Sequence, residues 1–397
     1  MMKKILAIIM AVVMLMTCGV VSFAGDSDTQ LQFKDGKFKM LLLADVQDGY
    51  PLYDDVIAFM NEAIEKTNPD VVIFLGDNVM GAETEEEYWL GYDQMLAPCV
   101  DHGVPFTFVF GNHDDESAPT ISKEQMLEKY QSYEGCLAYD ADPALHGCAT
   151  HNLEVLSSDG SHTAYNLWLM DSGDYAETEN GRHYDCVRAD QIAWYEATSK
   201  ALEEKEGQLV PSMMFQHIVP ADVAQQVMIT LPFHIGKLGK YDMEDGTSIT
   251  YLPNIFGFES GLVEEAPCPS TENEGQWDSL VARGDVKAMF FGHDHVNTYK
   301  ANVKGVDAVN VPGATYSSYQ SYIHQGAVLV TLDENNLDTY DMEMIYTNVL
   351  ALEDGSQLPG MERSKADYGF SRFLSIFVKI LLTPFKALAN VFGKIIY

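Results

Sequence analysis

Asp70-Val71-Val72-Ile73-Phe74-Leu75-Gly76-Asp77-Asn78 is the stretch from which the fold is read. A run of Val, Ile, Phe and Leu of strand length, with no polar interruption, suits a strand buried on both faces. Gly76 stops it, and a carboxylate and an amide follow at once. The same grammar recurs along the chain. Phe38 to Ala44 ends at Asp45-Val46-Gln47, Pro105 to Phe110 at Gly111-Asn112-His113-Asp114, Ser212 to Gln216 at His217, and Val286 to Phe291 at Gly292-His293-Asp294-His295. Ala164 to Met170 ends likewise at Asp171, and Val306 to Val311 and Ala327 to Leu332 close the series.

Between these runs lie stretches of helical periodicity: Tyr53 to Lys66, Glu83 to Val100 and Ala189 to Lys205. Strand, turn and helix in alternation predict an α/β fold, and one domain over residues 32–344 accounts for all of them. The long stretches 115–163 and 218–285 exceed plain connectors and are expected to shape access to a site. In layered α/β proteins ligands bind where parallel strands end, because loops there can vary without disturbing the core. The Asp, Asn, Gln and His residues at these ends are therefore expected to converge on one rim.

The chain has 397 residues, with 59 acidic against 24 basic and a formal net charge of −35. That sign argues against nucleic acid or an anionic membrane as the main partner of the folded body. An anionic substrate would need local positive charge, and bound cations are often the largest local charges in a site. Oxygen and imidazole donors suit such cations, with a carboxylate to bridge a pair. Asp45 and Gln47 lie two residues apart, as do His293 and His295. In extended backbone that spacing puts both side chains on one face. The glycines before Asp77 and Asn112 allow a sharp turn and a close approach. A lone Gly-Asp or a lone His is usually a turn or a packed core residue; the specificity lies in the ordered set.

These blocks resemble those of the calcineurin-like metallophosphoesterases, over Phe38 to Leu332. Within that family they look closest to proteins related to the purple acid phosphatases, on Leu169-Met170-Asp171-Ser172-Gly173-Asp174-Tyr175, Phe215 to Pro220, and Gly284 to Asn297. The resemblance implies a four-layer α/β/β/α sandwich of the metallophosphoesterase type and two divalent metal ions (Mn, Fe or Zn). It places Asp45, His295 and Gln47 on the first metal, Asp77 between the two, and Asn112, His217 and His293 on the second. It assigns His113 to the leaving-group oxygen, with Asp114 orienting its imidazole, and implies attack on a phosphate ester by a bridging hydroxide. Two positions depart from the pattern. Gln47 stands where many members carry His, and an amide oxygen is the weaker ligand. Met80 replaces the tyrosine that colours purple members, so a colourless site is expected. Asp171 is expected to be structural. Tyr316, Tyr319 and Tyr322, with Gln320 and His324, either line the substrate pocket or pack on the domain. The remaining histidines, among them His146 and His151, are expected to serve packing or surface roles.

The two ends read differently. Lys3 and Lys4, the apolar run Ile5 to Val21 and Ser22-Phe23-Ala24 form an export signal over residues 1–24, cleaved after Ala24. An uncleaved anchor and a lipidated Cys18 are the alternatives weighed. Without Cys18 an odd number of cysteines remains, with Cys136 and Cys148 near enough to close a short loop. After a linker over 345–372, residues 373–397 are apolar at helical spacing, with Lys379, Lys386 and Lys394. Such a segment fits peripheral contact with a membrane, or docking on the domain. The readings weighed for the whole chain are a secreted phosphoesterase, a catalytically weak or inactive binding protein with a degraded first metal site, and a surface adhesin.

Overall fold

A computed structural model describes residues 29–116, 120–178, 181–231, 240–242, 248–254, 256–320 and 324–346. The expected export signal, Tyr322 and the C-terminal segment lie outside them. In chain order the elements are β1 (Lys37–Leu43), α1 (Asp54–Thr67), β2 (Val71–Leu75), α2 (Glu85–His102), β3 (Phe106–Val109), α3 (Lys123–Gln131), β4 (His151–Leu156), β5 (Thr163–Leu169), β6 (Tyr175–Thr178) and β7 (Gly181–Tyr184). They continue with α4 (Ala189–Glu206), β8 (Ser212–Gln216), α5 (Ala221–Val227), β9 (Met228–Leu231), β10 (Lys240–Asp242), β11 (Ser248–Pro253), α6 (Gln276–Arg283), β12 (Val286–Phe291), β13 (Lys300–Val303), β14 (Val306–Asn310), β15 (Gly326–Asp333) and β16 (Tyr340–Tyr346).

Alternation along the strands builds the layers. Leu41 and Leu43 of β1, Val72 and Phe74 of β2, and Phe106 and Phe108 of β3 pack on Val56, Phe59 and Ile64 of α1 and Tyr88, Tyr92 and Met95 of α2. Parallel register puts Leu41 beside Val72 and Val72 beside Phe106, so one helix-facing surface forms. The intervening residues Met40, Leu42, Val71, Ile73 and Leu75 face the other way. They meet Leu167, Leu169, Met213, Phe215, Ala288 and Phe290 of a second sheet. That sheet turns Trp168, Met214, Met289 and Phe291 outward onto Ile192, Tyr195 and Leu202 of α4 and Trp277 and Leu280 of α6. The architecture is therefore a four-layer α/β/β/α sandwich. Its continuous apolar runs are explained by burial of the central strands β1, β2, β3, β5, β8 and β12 on both faces, whereas the edge strand β16 alternates half-buried and exposed residues.

The first sheet runs β16-β15-β1-β2-β3 and the second β13-β14-β12-β8-β5-β4. β1-β2-β3 are mutually parallel, as are β14-β12-β8-β5. Parallel order sends every one of these strand ends to the same rim, which is what gathers the site. Helix α2 begins two residues later than its acidic run suggests, because Thr84 caps it, accepting from the Glu87 amide at 3.2 Å. The long stretches are not bare loops. They carry α3 and β4, and a small sheet ordered β10-β11-β9.

His151 illustrates the packing role expected of the isolated histidines. It is wholly buried, its Nδ1 donating to the Ala149 carbonyl at 2.6 Å and its Nε2 meeting the Thr107 hydroxyl at 2.8 Å. Burial pushes the imidazole down to about 4. Below the ordinary imidazole value the unfolded chain takes the proton first, so stability falls as pH drops towards about 4. The loss attributable to this residue is about 3 kcal/mol. Urea unfolding of wild type and His151→Gln across that pH range checks it; parallel losses in both proteins would overturn the assignment.

Candidate metal centre

The loops after β1, β2, β3, β8 and β12 carry the predicted residues, and their backbone is unusual. Asp45, Gln47, Asp77 and His293 sit at φ of 49°, 44°, 51° and 72°. Non-glycine residues hold such conformations at a cost of roughly 1–3 kcal/mol each, and they cluster at functional sites. This corrects the extended spacing expected for Asp45/Gln47 and His293/His295. Left-handed turns aim these side chains, and each histidine joins a different cluster. Two glycines are fixed by close approach. A Cβ on Gly111 would stand 2.2 Å from Asp77 Oδ1, and one on Gly76 (φ 87°) would stand 2.7 Å from both the Gly111 nitrogen and His217 Nδ1.

Two groups of donors result. Asp77, His217 and His293 bring ligand atoms within 4.8 Å of one another, and so do Asp45, Asp77 and His295. Asp77 belongs to both. His217 Nε2 lies 3.3 Å from Asp77 Oδ2 and 3.2 Å from Asn112 Oδ1, and His295 Nε2 lies 3.6 Å from Asp45 Oδ1. Gln47 Nε2 reaches Asp77 Oδ2 at 3.4 Å. Backbone carbonyls set the ring orientations: His217 Nδ1 donates to Leu75 at 2.7 Å, and His295 Nδ1 to Tyr319 at 2.9 Å. Each Nε2 is thereby aimed inward, the arrangement that metal-ligating histidines use.

All seven predicted ligands are buried. Burial chiefly raises the Asp45 carboxyl. Burial also acts to raise Asp77, but the His217 charge and hydrogen bond, with His113, outweigh it and hold that carboxyl well below the usual range. His217 is pushed up to about 10, since Asp77 and Asp45 overcome the burial that opposes its charge. Burial keeps His293 well below the ordinary value and His295 down to about 4, so both rings are neutral donors. His293 Nε2 and Gln47 Oε1 are buried without a hydrogen-bond partner. Orphaned atoms of that kind cost about 1–3 kcal/mol each, and a cation would satisfy them. Imidazole, carboxylate and amide oxygen around a shared carboxylate fit two divalent ions.

Asp114 does not orient His113, and that expectation is corrected. Its carboxylate is fully buried and accepts from three backbone amides: Gly111 at 2.7 Å, Asn78 at 2.8 Å and Asp77 at 3.1 Å. It ties the loops after β2 and β3 together. The His113 ring is partly exposed, and its Nδ1 meets Glu116 Oε2 at 2.5 Å. Asp171 is structural, accepting from the Gly173 and Cys148 amides and pairing with Lys123 at 3.3 Å. Cys136 and Cys148 are both free thiols.

Apart from Tyr319, the residues that ring the centre had no role assigned from the sequence. The Asn112 amide nitrogen contacts the Tyr175 hydroxyl at 3.0 Å, which leaves Asn112 Oδ1 facing His217. Tyr184 sets its edge against His293 at 4.4 Å, and Tyr319 stacks flat on His295 at 4.1 Å. The Tyr-rich loop therefore packs on a ligand. Glu116, which meets the His113 ring, was missed, and its spacing three residues after His113 is the signal that could have found it. Beside Gln47 a cavity of about 350 Å³ opens, lined by Tyr50, Tyr53, Met80 and Ser317.

Four α/β/β/α layers with a carboxylate shared between two His/Asp clusters at one strand-end rim define a metallophosphoesterase class of protein. The family model for Calcineurin-like phosphoesterase matches residues 38–297, and the chain belongs to that family. It is similar to "Probable inactive purple acid phosphatase 14" of Arabidopsis thaliana, 28% identical over 351 residues covering 80% of each chain. A second relative there, "Probable inactive purple acid phosphatase 29", is 28% identical over 274 residues, covering 66% of this chain and 63% of its own. Among solved structures, a dimetal phosphatase from Danio rerio aligns with a TM-score of 0.46 at 14% identity, covering 75% of this chain and 95% of its own.

Proposed function

We propose that the chain is an exported hydrolase of phosphate esters, monoesters foremost, working with two divalent cations. The observation that carries this reading is Asp77, one carboxylate common to two ligand clusters. Asp45, Gln47 and His295 would hold the first ion, and Asn112, His217 and His293 the second. A bound pair supplies Lewis acidity and an activated water at neutral pH. The chain adds His113, held by Glu116 at the opening of the site, as the proton donor to the leaving oxygen. Leu75 and Tyr319 keep the imidazoles aimed, and Tyr175 keeps the Asn112 amide turned.

A specific observation favours a second reading, a catalytically weak or inactive binding protein. Gln47 replaces an imidazole with the weaker amide donor, and its amide nitrogen is the atom that lies 3.4 Å from Asp77 Oδ2. The two Arabidopsis relatives are themselves named probable inactive phosphatases.

The test uses residues 25–397 loaded with Mn²⁺ or Fe²⁺, assayed on an aryl phosphate monoester and diester beside His113→Ala. Monoester turnover is expected, with loss of about 10²-fold in kcat for the variant and two metals still bound. Two bound metals without turnover of either ester would leave the binding protein as the reading. Undiminished turnover by His113→Ala would sink its acid role alone. Export predicts a mature protein whose N-terminal sequence starts at Gly25.

A further inference from the structure

The hairpin β6–β7 crosses the mouth of the metal centre. Its register pairs Tyr175 with Tyr184 and Glu177 with Arg182. Alternation puts these residues on one face, and that face is the one turned to the site, since Tyr175 touches Asn112 and Tyr184 touches His293. On the same face the Arg182 guanidinium lies 3.6 Å over the Tyr175 ring.

Two further facts single out Arg182. Lys123, whose ammonium lies over the Phe110 ring just after β3, is neutralised by Asp171 and Asp174. Arg182 is exposed, and among the described residues no carboxylate oxygen lies within ion-pair distance of it, although Glu177 is its cross-strand partner. A rim cation with no carboxylate partner among the described residues stands out in a chain of net charge −35. Stacking on tyrosine uses the face of the guanidinium and leaves its edge donors free for a planar oxyanion.

We infer that Arg182 determines specificity, by recognising a second anionic group on the leaving side of the substrate. Position decides which side. The guanidinium lies over the ring of the tyrosine whose hydroxyl contacts Asn112, at the rim and not within either ligand cluster, so it would meet a part of the substrate beyond the phosphoryl group. The Tyr175 hydroxyl lies within hydrogen-bond reach of both Asn112 and Glu116, and Glu116 holds His113. Arg182 thus overlooks the side on which the proposed proton donor stands. The substrate class is a phosphate ester whose leaving group bears a carboxylate or a further phosphate. This rests on the phosphoesterase reading.

The experiment compares phenyl phosphate with 4-carboxyphenyl phosphate on the Mn²⁺-loaded protein, in wild type, Arg182→Gln and Arg182→Lys. Wild type is expected to prefer the carboxylated ester about tenfold in kcat/KM, mainly through KM. The preference should collapse towards unity in Arg182→Gln and survive in part in Arg182→Lys. An equal preference in wild type and Arg182→Gln would overturn the inference. If neither ester is hydrolysed, the phosphoesterase reading fails separately, and calorimetry with pyrophosphate and orthophosphate reads the inference. Selective weakening of pyrophosphate binding in Arg182→Gln supports it, and unchanged binding overturns it.

Discussion

Asp77→Asn is expected to lose about 10³-fold in kcat, with metal content falling from two ions per chain to one or none. The substitution keeps the shape of the side chain. An amide oxygen still accepts from the His113 amide, which Asp77 Oδ1 does now at 2.8 Å. What disappears is the charge that both ligand clusters share. An amide offers one neutral oxygen, so two cations lose their common counter-charge at once. Asp45→Asn provides the contrast, since Asp45 belongs to only one cluster and should cost only the first ion. Elemental analysis beside turnover reads both variants. Two ions and near-native turnover in Asp77→Asn would end the bridging assignment.

Legibility followed the range of the interactions. Asp77, Asn112, His217, His293 and His295 were readable because each follows an apolar run whose burial fixes its strand, and parallel order carries strand ends to one rim. The layers were readable for the same reason. The aim of the side chains was not. Two-residue spacing suggested a pleat, whereas Asp45, Gln47 and His293 lie in left-handed turns that no propensity marks. Contacts between distant segments were equally silent. Tyr175 meets Asn112 across 63 positions, and Tyr319 stacks on His295 from a loop whose tyrosines could as well have faced the substrate. Family resemblance supplied a role for Asp114 that local geometry reassigns, since a carboxylate adjacent to His113 is claimed first by nearby amides.

That reassignment yields the second large effect. Asp114→Ala should destabilise the fold by about 4 kcal/mol, because it strands the buried amides of Gly111, Asn78 and Asp77. Each orphaned amide costs about 1–3 kcal/mol. Part of that loss is offset, since the carboxylate itself is held unfavourably: burial, and then Asp77, push it up to about 6. For a domain of this size the net loss lowers Tm by about 10 °C. Asp114→Asn should lose about half as much, as its oxygen can still serve Gly111 and Asp77 while its amide nitrogen faces only Asn78. An imidazole-orienting role predicts the opposite pattern: a fall in kcat for both variants at unchanged Tm. Calorimetric unfolding of the two variants without added metal, beside their kcat with metal, separates these accounts. A Tm equal to wild type in Asp114→Ala would show that the loops after β2 and β3 do not depend on this carboxylate. Glu116→Gln should then be the variant that changes kcat alone, since its side chain reaches the His113 ring and no backbone amide of those loops.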